Sequence, residues 1–348
     1  MARILYGVMG NTNGHIMRTL SIVPHLAEHK FHFAGGGRVL ETIKKQYPVL
    51  DLPVLRTKYK NQKLDLAGTI GQILLRTLQI PLICYRLRKF AKNFKPDLII
   101  SDREFFTPIY ALISGTPCIS IDHTHILKAC EYEVPDNLKK IYFLTMLNDY
   151  LLFDFTKRNL IVSFFTPPTK PGVSDEIFPA VVRPVVEKVR SKEGDHIFVY
   201  LSVPKFPTLI ETLHKLDRKI IFYGAGKEGV ERNITYRNFN EGQIFKDLAS
   251  CRYAVVNGGH NLISEALYYG KPIMCFPLAG LIEQWINVHF IRKLAYGDYS
   301  FDRNPKPEHF ENFETRLEEY RESIAKNFVH GTPLIVKRLK EIISEYET

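Results

Sequence analysis

Short apolar runs alternate with helical patterns from one end of this chain to the other, and few folds satisfy that alternation. In the first half, Arg3–Val8 reads as a strand. A polar loop, Gly10-Asn11-Thr12-Asn13-Gly14, follows it. A helical pattern then runs from His15 to about Glu28, with Ile16, Leu20 and Val23 or Ala27 on one face. Further strands are predicted at residues 31–34, 97–101, 118–122 and 160–163, with helices near 104–113 and over 135–158. The second half repeats the scheme. Its strands are predicted at 196–201, 219–222, 253–256 and 272–276, and its helices at 207–215, 241–250, 261–269 and 283–294. A helical tail from about Pro307 is broken at Gly331-Thr332-Pro333. Strands this short and apolar, joined by helices, form a parallel sheet covered on both faces, so the class is α/β.

The 348 residues are more than one core needs and comfortable for two domains. Thr166-Pro167-Pro168-Thr169-Lys170-Pro171-Gly172 cannot continue regular structure, because proline removes donors and constrains its predecessor. The expected boundary lies just after it, giving domains over 1–180 and 181–348. Ligands in this class bind beyond the carboxyl ends of the strands. That rule sends four loops, 9–15, 102–104, 122–125 and 257–261, to the mouth of an interdomain cleft.

Hydrophobic residues are 45% and charged residues 24% of the chain, the balance of a soluble globular protein rather than a disordered one. The N-terminus lacks a secretory core, and no apolar run reaches the roughly 18–20 residues that span a bilayer. The five cysteines form no CxxC pair, and their odd number argues against a full disulfide set, so reduced thiols in a cytoplasmic protein are expected. The net charge is +10, and residues 1–180 hold 23 Lys/Arg against 15 Asp/Glu. A basic balance suits a phosphorylated small molecule or an anionic surface. No zinc-finger, basic helix-turn-helix or aromatic-basic RNA motif is present, so nucleic acid is not expected as a partner.

The chemistry gathers in the loops. Glycines in Gly10–Gly14 let backbone approach a ligand, and amides at the following helix start favour an oxygen anion. The spacing is neither G-x-G-x-x-G nor a Walker A loop. His15 is placed at that helix start, where a neutral imidazole can accept a proton. The opposing reading is a histidine that merely bonds its own loop. Asp102 and Asp122-His123-Thr124-His125 end the next strands. Asp102 is a second candidate base, or orients His15, or caps a helix. Two histidines at i and i+2 without a third ligand do not make a metal site, and none is expected.

The most informative stretch is Asn257-Gly258-Gly259-His260-Asn261. An apolar strand ends there and a helix begins at once. The amides of Gly259, His260 and Asn261 suit a diphosphate, and Glu265, one turn beyond Asn261, suits a ribose diol. Glu283 and Gln284, with Asn287, supply the mixed donors and acceptors that sugar hydroxyls ask for. Helix capping and surface exposure are the plainer reading of Glu283 and Gln284.

Taken in order, Thr12-Asn13-Gly14-His15, Asn257–Asn261 with Glu265, Gly270-Lys271-Pro272, and Glu283-Gln284 with Asn287 resemble a known set. The chain is similar to the GT-B glycosyltransferases that include the lipid II-forming N-acetylglucosaminyltransferase of cell-wall synthesis and the UDP-glucuronosyltransferases. The resemblance covers nearly the whole chain. It implies two Rossmann-like domains facing across a cleft, the first for acceptor and the second for donor, with C-terminal helices returning to the first. It implies an inverting hexosyltransferase that needs no metal or other cofactor and takes its sugar from a nucleotide-sugar, by default a UDP-sugar. Residue by residue, His15 and Asp102 stand for catalysis. Asn13, Gly14, Asn257, Gly258, Gly259, His260, Asn261, Glu265, Glu283, Gln284 and Asn287 stand for the donor site, with Phe239 to Ile244 bordering the nucleobase. The chain departs from the plant-type enzymes in having Asn257 where they place a histidine. It departs from the cell-wall enzyme in a loop poorer in glycine.

Residues 56–95 hold Arg56, Lys58, Lys60 and Lys63, then an apolar run from Leu64 to Tyr85, then Arg86, Arg88, Lys89, Lys92 and Lys95. A basic and apolar surface element suits an enzyme resting on an anionic membrane with a lipid- or polyprenyl-linked hydroxyl acceptor. The competing reading is a core helix that ends in a solvated basic turn. Two other classes fit the same double fold: a sugar-nucleotide 2-epimerase, and a nucleotide-sugar binding protein without turnover.

Overall fold

The computed structural model describes residues 1–347 except 57–58, 61–62, 65, 157, 202–206, 279 and 303. The chain divides into two compact units. One comprises Met1–Glu133, Phe143–Phe178 and Gly331–Thr348; the other comprises Val134–Tyr142 and Pro179–His330. Each is a Rossmann-like sheet flanked by helices.

The first sheet runs, in spatial order, Val49–Asp51, Lys30–Gly35, Arg3–Val8, Leu98–Asp102, Cys118–Asp122, Arg158–Val162 and Glu176–Phe178. Every neighbouring pair is parallel. Leu98–Asp102 is buried at each residue, as a strand covered on both faces must be. Chain order reverses between Arg3–Val8 and Leu98–Asp102. The loops leaving that pair therefore flank the crevice where this architecture holds ligands. Leu5, Leu87, Ile99 and Phe106 pack in the core on one side of the sheet.

The first helix covers Asn13–Ile22 and stops short of the predicted Glu28. Pro24 has no N–H to give, so the chain tightens into a 3₁₀ turn at Val23–Leu26. The helix predicted from residue 104 begins at Phe106. Glu104 stays outside it, and its Oε2 accepts from the amides of Phe106 at 3.0 Å and Thr107 at 2.6 Å. The stretch predicted helical to 158 ends at Leu152, and a strand starts at Arg158. Val49–Asp51 and Glu176–Phe178 are strands the sequence reading missed, each of three residues and too short to show a period.

The apolar run after Leu64 forms two helices, Leu66–Leu78 and Ile80–Phe94, bent by 48° at the break. It is not a core helix. Ile83 and Leu87 are buried, but Leu78 is 80% exposed and Tyr85 66%, with Ile70, Leu74 and Leu82 also exposed. Lys58 and the side chains of Lys60, Lys63 and Leu64 lie outside the described residues. Among the described residues no single helix is long and apolar enough to cross a membrane. The bent pair together passes by length and composition alone.

The second sheet runs Gly229–Glu231, Ile234–Arg237, Ile220–Tyr223, Ile197–Tyr200, Tyr253–Val256, Ile273–Cys275 and Gly297–Tyr299. All pairs are parallel except the first. Its order reverses between Ile197–Tyr200 and Tyr253–Val256, so the turn after Val256 borders this unit's crevice. Val199, Phe222, Tyr253, Phe276 and Tyr320 fill the core. All five cysteines are unpaired.

Candidate active site

In the first unit, parallel pairing of Arg3–Val8 with Leu98–Asp102 sets Val8 opposite Asp102. The helix that follows the glycine loop brings His15 back over the strand ends. His15 Nδ1 lies 2.6 Å from Asp102 Oδ1. A carboxylate only accepts, so this contact favours the Nδ1–H tautomer, in which Nε2 carries the lone pair; Arg18 Nη2 also lies 3.1 Å from Nδ1. Arg18, one turn further on the same helix face, donates Nε to Asp102 Oδ2 at 2.8 Å and Nη2 to Oδ1 at 2.7 Å. Asp102 is fully buried and Arg18 nearly so. Burial opposes the charge on Arg18, but the Asp102 carboxylate more than offsets it and holds the guanidinium above its ordinary value. Asp102 is thus bound to His15 and Arg18.

The turn after Asp102 is strained. Arg103 adopts a left-handed backbone with φ 54°. Its guanidinium donates to Asp149 at 2.7 Å and lies 4.3 Å from the centre of the Phe153 ring, which fixes the turn. At the end of the neighbouring strand, Asp122 accepts from the His125 amide at 2.9 Å and contacts His125 Nδ1 at 2.5 Å. Burial opposes both charges of this pair. Each is nonetheless stabilised by the other, so His125 is raised from its ordinary value and Asp122 lowered. Among the described residues no group of three or more His, Cys, Asp or Glu could hold a metal ion.

The glycine loop itself is held by packing. A Cβ on Gly10 would lie 1.7 Å from the Gly36 carbonyl oxygen, so glycine is required there by a neighbouring chain segment. Asn13 accepts from Arg38 at 3.1 Å, and a Cβ on Gly14 would make only an ordinary contact with Thr12 Oγ1 at 3.8 Å.

In the second unit, Tyr253–Val256 ends in the turn that leads to the helix His260–Tyr268. Gly258 takes φ 122°, and a Cβ there would sit 3.1 Å from Val288 Cγ1. Beside Gly259 there is nothing within 4 Å. Gly259 is the N-cap and offers no side chain, so the first-turn amides have no side-chain cap. Asn257 is buried and donates to the Phe276 carbonyl at 3.2 Å. Asn287, fully buried, donates to the Gly258 carbonyl at 3.0 Å, and Gln284 Oε1 accepts from the Leu278 amide at 2.9 Å. Asn287 therefore braces the turn, and Gln284 braces the segment that follows the strand Ile273–Cys275. Glu283 is half-buried in the first turn of Ile282–Lys293.

A family model described as glycosyl transferase family 1 matches residues 2–318. The chain belongs to that family. A glycosyltransferase of Methanosarcina acetivorans is 26% identical over 324 residues, 85% of this chain and 84% of the relative. Two solved structures share the fold. MurG of Acinetobacter baumannii is 12% identical at a TM-score of 0.64, covering 98% of this chain and 100% of its own. The glycosyltransferase VinC, in complex with dTDP, is 14% identical at 0.63, covering 98% of each. This chain is a glycosyltransferase with the GT-B fold.

The remaining residues expected at the donor side divide by exposure. Phe239 is 57% exposed, whereas Ile244 is buried in the helix Glu241–Ala249. Glu265 is buried, and both of its oxygens are engaged: Arg183 Nε reaches Oε1 at 2.7 Å and Nη2 reaches Oε2 at 3.1 Å. Arg18 and Arg183 are the two residues that sequence reasoning missed. Arg18 had a signal, since i and i+3 share a helix face with His15. Arg183 had none, being 82 residues from its partner.

Proposed function

We propose that the enzyme inverts the anomeric centre as it moves a hexosyl group from a UDP-sugar to a hydroxyl acceptor, without a required metal. The acceptor oxygen attacks the anomeric carbon, the bond to the diphosphate breaks, and its electron pair leaves with the nucleoside diphosphate. The acceptor proton goes to His15 Nε2. The observation that carries this reading is the His15 Nδ1–Asp102 contact, which leaves Nε2 as the basic nitrogen. The helix start at Gly259, His260 and Asn261, which has no side-chain cap and open space beside Gly259, supports a diphosphate site. A carboxylate has about four acceptor positions, so Glu265 keeps capacity for a ribose while Arg183 occupies two. Glu283 and Gln284 would meet the sugar, and the segment from Phe239 to Ile244 the base.

The acceptor in this reading is lipid-linked and the enzyme rests on an anionic membrane face. Exposed Leu74, Leu78, Leu82 and Tyr85, next to exposed Arg86, Lys89 and Lys92, support it. Calorimetric titration with nucleoside diphosphates, with and without magnesium, tests the donor side. Selective, magnesium-independent binding of UDP is the expected result, and no binding of any nucleotide would refute the assignment. Flotation with phosphatidylglycerol vesicles tests the surface. Binding should be lost in Leu78→Glu/Leu82→Glu, and a wild-type chain that stays at the bottom of the gradient removes the membrane reading.

A further inference from the structure

We propose that Arg183 positions Glu265 for a nucleotide's ribose, and so sets how sharply this protein distinguishes a ribonucleotide from its 2′-deoxy counterpart. The inference rests on the donor reading above.

Glu265 is 2% exposed, and a carboxylate so buried must be paired to stay charged. Its two bonds to Arg183, at 2.7 and 3.1 Å, form a planar fork. That fork fixes the carboxylate plane, which a single point contact would leave free to rotate. Each oxygen gives one acceptor position to the fork and keeps another. The directions of those remaining positions are therefore set by Arg183. A vicinal diol needs two acceptors at a fixed separation, so its recognition depends on this plane.

Arg183 is itself held on two further sides. Its Nη1 donates to Glu241 Oε1 at 3.0 Å, and its guanidinium lies 4.5 Å from the centre of the Phe245 ring. Glu241 and Phe245 belong to the helix Glu241–Ala249, which follows directly on the loop containing Phe239. Glu265 belongs to the helix His260–Tyr268. One guanidinium thus ties the segment assigned to the base to the carboxylate assigned to the ribose. A lysine could supply the charge but not the fork.

The test is calorimetric titration of the full chain with UDP, 2′-deoxy-UDP and UMP, for wild type, Arg183→Met, Arg183→Lys and Glu265→Ala. A hydrogen bond to a charged group predicts that wild type prefers UDP over 2′-deoxy-UDP by about 10- to 100-fold. In Arg183→Met this preference should fall to within roughly threefold of unity, as in Glu265→Ala. The preference for UDP over UMP, which reads the diphosphate at the amides, should stay within about threefold of wild type. Arg183→Lys, which keeps the cation, should bind UDP with a reduced 2′-hydroxyl preference. An unchanged preference in Arg183→Met and Arg183→Lys overturns the proposal. So does loss of both preferences together in both variants, which would mark a purely structural ion pair. A wild type that binds 2′-deoxy-UDP or dTDP as well as UDP also overturns it, while leaving the donor reading intact. A wild type that binds no nucleotide refutes the donor reading itself.

Discussion

Replacing Asp102 by asparagine should cost both stability and turnover, and the two losses have separate origins. Asp102 is fully buried and holds Arg18 through two bonds at 2.7 and 2.8 Å. Asparagine keeps the shape but removes the negative charge, leaving a guanidinium that is 4% exposed without its counter-ion. Breaking a buried pair in this way costs about 3–5 kcal/mol. For a unit of this size each kcal/mol lowers the melting temperature by about 2–4 °C, so a drop of roughly 6–20 °C is expected. Turnover falls for another reason, because His15 loses the anion that steadies the charge it gains on taking a proton. A general base is worth about 10²- to 10⁴-fold, and kcat should fall within that range. His15→Ala should match it in kcat at a smaller stability cost of about 1.5–3 kcal/mol.

The decisive sample is Arg18→Met combined with Asp102→Asn. With both charges gone no unpaired ion remains, so much of the lost stability should return while turnover does not. Scanning calorimetry and the initial rate of nucleoside diphosphate release read the two quantities. A double variant no more stable than Asp102→Asn would show that the buried ion pair is not what stabilises the strand ends. An Asp102→Asn enzyme with kcat within about threefold of wild type would remove His15–Asp102 from the chemistry.

The Asp122–His125 pair sets a pH window. His125 is raised in the fold, so its contribution is full below about pH 6.5 and is lost as pH rises through the folded value. Asp122 is lowered, so its contribution is present above about pH 3.9 and is lost on further acidification. The melting-temperature advantage of wild type over Asp122→Asn should therefore shrink above pH 6.5, and a constant advantage from pH 5 to 9 would contradict the pairing. Gly258 and Gly259 should respond differently to alanine. Gly258→Ala meets Val288 at φ 122° and should cost about 1–3 kcal/mol as well as UDP affinity. Gly259→Ala has open space, so its stability should stay within about 0.5 kcal/mol while UDP binding weakens; equal melting losses in the two would refute this division.

Much of the fold was legible because its strands are continuous apolar runs between glycine turns, as at Tyr253–Val256 and Leu98–Asp102. What escaped was short or non-local. Three-residue edge strands such as Gly297–Tyr299 carry no period, and Pro24 ended a helix whose apolar spacing continued past it. Arg183 reaches Glu265 across 82 residues, and no local pattern encodes such a pairing. Asp102 was visible as a strand-end carboxylate, yet its two partners follow from the reversal of strand order beside Arg3–Val8.

The two glycine loops look alike in sequence and differ in what requires the glycine. Gly10 is pressed against the Gly36 carbonyl, so any side chain there collides with protein, and the proposed chemistry of the loop falls to His15. At Gly259 a Cβ would meet nothing within 4 Å, and the helix that starts there has no side-chain cap. A glycine packed against backbone is explained by the fold, whereas a glycine facing open space at a helix start without a side-chain cap is not. In the proposed reading the first unit presents a side-chain base and the second a backbone anion site. That is the division a transfer between a hydroxyl and a sugar diphosphate needs: a proton must be removed on one side and a leaving charge stabilised on the other.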